Sequence, residues 1–71
     1  MMYLFVALLS DSYKPMSYRL KIEDIEDYKK RPAIYKQRAI MHICANRGIT
    51  KADLKKYGYT KIRVKEEEII V

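Results

Sequence analysis

Arg19-x-Lys21 and Lys61-x-Arg63-x-Lys65 each repeat a basic side chain every second residue. On a β-strand that spacing brings like residues to one face. Rows of Lys and Arg held this way neutralise phosphates and gain the free energy of counterion release, which is the chemistry of nucleic-acid binding. Lys29, Lys30 and Arg31 form a third basic group, expected near the edge of the same surface. Tyr59, next to the second row, and with it Tyr3 or Phe5, supplies rings on which unpaired bases stack. The candidate binding set is therefore Arg19, Lys21, Lys29, Lys30, Arg31, Tyr59, Lys61, Arg63 and Lys65.

The charge distribution supports this choice. From Lys29 to Lys65 the chain holds twelve bases and one acid, Asp53. That segment carries +11, and the total of +6 leaves −5 for its flanks, where Glu23, Asp24, Glu26, Asp27 and Glu66 to Glu68 lie. Such a field attracts polyanions, either DNA or RNA or an acidic protein surface. Exposed strands also carry charge for solubility and edge protection, but a twelve-to-one bias in sign exceeds that need.

Other chemistries find less support. His42 and Cys44 stand two residues apart, so on a helix they point about 200° away from each other and cannot share a proton. The acids of Glu23 to Asp27 suit the first turn of a helix better than an acid–base pair. One His and one Cys are too few to hold a metal, and the two isolated glycines build no phosphate loop. The reading is a protein without catalytic residues, metal or cofactor. Ala45 to Leu54 has the order of a helix-turn-helix junction, yet the second helix is short and carries no Arg, Asn or Gln to read bases. An ordinary helical hairpin is expected there.

The elements that must position the basic rows follow from pattern. Met2 to Leu9 is a strand apolar on both faces, which asks for cover on two sides. That cover is either a helix or a second copy, so a homodimer through this N-terminal strand is one expectation. Met16 to Ile22 alternates, with Ser17, Arg19 and Lys21 outward, and the two strands form a hairpin. Glu23 to Lys30 reads as a short helix with acids first and bases last. Pro32 opens a longer helix to Arg47, and Gly48 ends it. Its apolar face is expected at Ile34, Ile40, Met41, Cys44 and Ala45, opposite a polar stripe of Tyr35, Arg38, His42 and Asn46. Thr50 to Asp53 resembles a capping box opening a third short helix, which Gly58 stops. Tyr59 to Lys65 alternates again, and Glu66 to Val71 continues that strand or frays. A core of Leu20, Ile22, Ile40, Met41, Cys44, Leu54 and Ile62 follows.

At 71 residues the chain is one domain, 1–71, near the lower size limit for an independent core. A lone cysteine in an apolar stretch suits a reducing, cytoplasmic setting. The apolar start is far too short to span a bilayer, so no membrane partner is expected. The expected fold is α+β. Its antiparallel sheet of about three strands carries one main helix packed across it, in the order β-β-α-α-α-β. The expected function is that of a small accessory or regulatory protein binding nucleic acid with little sequence specificity. The alternative is a protein-interaction module docking onto an acidic surface. The Tyr-, Lys- and Ile-rich composition is compatible with a small protein of a phage or mobile element.

Overall fold

The computed structural model of the protein describes residues 1–68. Strands β1 (Met2–Ser10) and β2 (Met16–Ile22) form a hairpin. Helices α1 (Ile25–Lys30), α2 (Pro32–Arg47) and α3 (Lys51–Lys56) follow, and β3 (Tyr59–Glu68) returns to the other side of β1. The result is a three-stranded antiparallel sheet in the order β2-β1-β3. The fold is α+β, as the patterning predicts. Of the tail, Glu66 to Glu68 extend β3, and residues 69–71 lie outside the described residues.

Local chemistry sets the helix ends. Asp24 caps α1 by accepting the Asp27 N–H at 3.0 Å, and Lys29 and Lys30 occupy the last turn, where the helix dipole favours cations. Arg31, held out of the helical region before Pro32 at φ −136° and ψ 57°, separates α1 from α2. Gly48 closes α2 in the left-handed region at φ 66°, where a side chain would be strained. The Thr50 hydroxyl accepts the Asp53 N–H, and the Asp53 carboxylate accepts the Thr50 N–H at 2.9 Å. The capping box expected there is present.

One core holds the molecule together. Leu4, Val6 and Leu8 of β1 are fully buried beneath Tyr28 of α1, Tyr35, Ala39, Ile40, Ile43 and Cys44 of α2, and Leu54 of α3. Every helix therefore contributes to the same side of the sheet. Among the described residues neither helix nor strand covers the other side, where Tyr3, Phe5, Ala7 and Leu9 of β1 point.

The phase of α2 differs from the expected one. Its inward row is Tyr35, Ala39 and Ile43, joined by Ile40 and Cys44, while Ile34 and Met41 are 44% and 61% exposed. Tyr35 belongs to the core because its ring packs edge-on against Tyr28 while its hydroxyl reaches the carboxylate of Asp27 at 2.6 Å. The polar tip is thereby satisfied with the ring buried. Ala39, fully buried, brings the helix backbone close to the strands. His42 stays outside and stacks on Tyr18, with ring centroids 4.6 Å apart.

Ile62 is a second correction to the expected core. Ile62 and Val64 face the helical side, opposite Leu8 and Val6, yet are 44% and 46% exposed. β3 is an edge strand, and α2 crosses β2 and β1 rather than β3. Leu20 is half-buried, and Ile22, Ile40, Cys44 and Leu54 are buried as expected.

Candidate functional site

The open face of the sheet can be assembled strand by strand. In β-pairing, residues directly opposite one another share a face. Phe5 lies between Arg19 and Lys65, Tyr3 between Lys21 and Glu67, and Ala7 between Ser17 and Arg63. Leu9 lies beside Lys61. The structure thus brings Arg19, Lys21, Lys61, Arg63 and Lys65 onto one face, in two basic rows about 10 Å apart with β1 between them. The apolar row of β1, Tyr3, Phe5, Ala7 and Leu9, forms its floor. Ala7 is buried even here, walled in by its longer neighbours.

The two-sided apolar pattern of β1 has a simple physical cause. β1 is the central strand, so one face lies under the helices and the other forms the floor of the basic platform. Both of its edges are paired, so self-association through this strand has no free edge to use. Only its outward face remains, and two such platforms meeting would set like charges against each other.

An ion pair crosses the platform. Arg19 Nε donates to Glu67 Oε1 at 2.9 Å, running diagonally over β1. The same guanidinium lies over the Phe5 ring, 5.8 Å from its centroid, within cation–π range. Lys21 approaches the exposed Glu23 at 4.0 Å. With five bases and Glu67, the face carries a net +4. Sequence reasoning did not place Glu67 here. The signal was its even-numbered spacing from Lys61, Arg63 and Lys65 along one strand.

Tyr59 does not join this face. A bulge in β3, opposite the step from Leu9 to Ser10, sets Ser10 opposite Tyr59, with Thr60 as the extra residue. One inserted residue reverses the facing of everything before it. Tyr59 therefore packs against the helical core, stacks near Tyr13, and donates its hydroxyl to the Lys14 carbonyl at 2.8 Å.

Lys29, Lys30 and Arg31 do not converge with the strands either. Their helix lies on the opposite side, since Tyr28 of α1 reaches Glu66 with a 3.0 Å hydrogen bond and Glu66 faces the helices beside Leu4. Arg31 is already paired with Asp27. That carboxyl is held below the usual range first by the Tyr35 hydroxyl and then by Arg31.

The remaining chemistry resolves into structure. Cys44 is a buried free thiol, and His42 faces Tyr18 rather than Cys44. α3 spans six residues, about 9 Å, too short to set several side chains on base edges. Its Lys51 ammonium contacts the Gln37 side chain of α2. Among the described residues no cluster of His, Cys, Asp or Glu could hold a metal ion, and no helix is long and apolar enough to cross a membrane. No family model, curated protein or solved structure matches the chain.

Proposed function

We propose that this chain is a small non-catalytic accessory or regulatory protein of the cytoplasm. It binds nucleic acid, DNA or RNA, through the open face of its sheet, chiefly by phosphate contacts and with little base specificity. The observation carrying this reading is that Arg19 and Lys21 on one strand and Lys61, Arg63 and Lys65 on another flank the same uncovered face. Bases in two rows follow a phosphate backbone, whereas scattered surface charge does not. The floor of the face is largely apolar or aromatic, and phosphates give position without sequence, which favours binding with little base selectivity.

The rival reading, docking onto an acidic protein, draws on the same charges and on the exposed Ile34 and Met41 of α2. Salt separates the two. Phosphate binding weakens steeply, with a slope in log affinity against log salt of about −0.7 per phosphate contacted on a single strand. A protein interface centred on apolar side chains tolerates salt better. A salt-titrated binding assay against single- and double-stranded DNA and RNA tests the proposal. A shallow salt dependence, or no binding at low salt, overturns it.

A further inference from the structure

Tyr3 and Phe5 stand two residues apart on the central strand and share the open face. Their separation along the strand is about 6.6 Å. Adjacent stacked bases in a duplex rise only about 3.4 Å per strand, so neighbouring bases reach both rings only when the strand is extended and its bases are splayed apart. A duplex presents no base faces to a flat sheet at all. From this spacing, and resting on the nucleic-acid reading above, we infer that the ligand is an unpaired polynucleotide strand. Consecutive bases lie on Tyr3 and Phe5, and its phosphates run along the flanking basic rows.

The Arg19–Glu67 pair gives this site an exchange step. In the free protein the Arg19 guanidinium covers Phe5, where a base would lie, and Glu67 holds it there. A base arriving on Phe5 displaces the guanidinium, which then turns from the carboxylate to a phosphate. One charge-assisted contact replaces another, and no charge is left unpaired on Arg19. Because the Arg19–Glu67 pair is exposed to solvent, it holds only weakly and the ligand can break it. Glu67 is therefore a competitor for Arg19, built into the platform.

The test uses the full chain and fluorescence anisotropy with a labelled oligothymidine, alone and annealed to its complement. The single strand should bind more tightly than the duplex. Phe5→Leu keeps an apolar side chain but removes the ring, and should weaken single-strand binding about 5- to 150-fold. Phe5→Tyr should retain it. Tyr3→Leu should weaken binding in the same sense, which keeps the test open if Phe5→Leu fails to fold by circular dichroism. Glu67→Gln should tighten binding roughly two- to five-fold, and by more than Glu68→Gln, a change of equal charge on the helical side of β3. Equal affinity for strand and duplex, with Phe5→Leu and Tyr3→Leu behaving as wild type, overturns the single-strand inference and leaves phosphate binding by this face intact. Glu67→Gln no tighter than Glu68→Gln overturns the exchange. No binding by the wild type at low salt overturns this inference and the proposed function together.

Discussion

The Tyr35 hydroxyl donates a 2.6 Å hydrogen bond to Asp27 Oδ2, tying the middle helix to the short helix before it. Asp27 also accepts the Arg31 Nε–H at 3.0 Å, so one carboxylate joins α1, the break before Pro32 and the first turn of α2. The ring beneath that bond belongs to the core. This contact selects which side of α2 faces inward.

The pH dependence of stability follows from this contact. The Asp27 carboxyl is held below the usual range, first by Tyr35 and then by Arg31. A depressed folded value means the contribution is present above the unfolded value and is lost as the pH falls below about 4, through the folded one. Tyr35 is pushed up by its bond to Asp27, and Tyr28 by burial and its bond to Glu66. Their contribution is present below about pH 10 and is lost as the pH rises through their folded values. Thermal melts across pH should show both falls. Asp27→Asn should lose part of the acid fall, and an unchanged acid limb would place the sensitivity elsewhere.

Two neighbouring residues report the phase of α2. Ile40→Ala should destabilise by about 2–5 kcal/mol, because the side chain is 4% exposed inside the core. Met41→Ala should stay within about 0.5 kcal/mol of the parent, because that side chain faces solvent. Denaturant or thermal melts decide the matter, and the opposite ranking would mean the helix is rotated.

The two sides of the sheet should behave differently towards nucleic acid. Lys61→Ala with Arg63→Ala and Lys65→Ala should weaken binding for all sequences and flatten the salt slope by about 2, at 0.7 for each of three contacts on a single strand. Lys29→Ala with Lys30→Ala removes charge from the helical side and should leave most of that slope. Equal effects of the two variants in a salt titration would show a response to net charge rather than to the platform.

Tyr59 should matter for stability rather than for ligand. Tyr59→Ala removes packing against the core and the bond to Lys14, at an expected cost of about 0.5–3 kcal/mol. Measured where the variant remains folded, its affinity for single strands should match the parent. A loss of affinity with unchanged stability would put the ring on the binding face.

Much of this molecule was already determined by local chemistry. Period-two alternation places Arg19 with Lys21, and Lys61 with Arg63 and Lys65, on shared faces whatever the strands pair with. Asp24, Pro32, Gly48 and Thr50 set helix ends through caps and backbone preferences that act over a few residues. The two-sided apolar β1 asks for cover on both faces, and the described residues supply it on one, over Leu4, Val6 and Leu8.

Three features depended on the tertiary structure. The phase of α2 was ambiguous because apolar residues occur all round it: Ile34 and Met41 on one side, Ala39 and Ile43 on the other. A hydrogen bond to Asp27, eight residues away, made Tyr35 a core residue. The facing of Tyr59 turned on one extra residue at Thr60, which exists only relative to the register of β1. The exposure of Ile62 and Val64 turned on β3 lying at the edge, beyond the reach of α2. Alternation and capping act between neighbours in the chain and are visible in the sequence. Phase, register and edge position are relations between distant segments, and packing decides them.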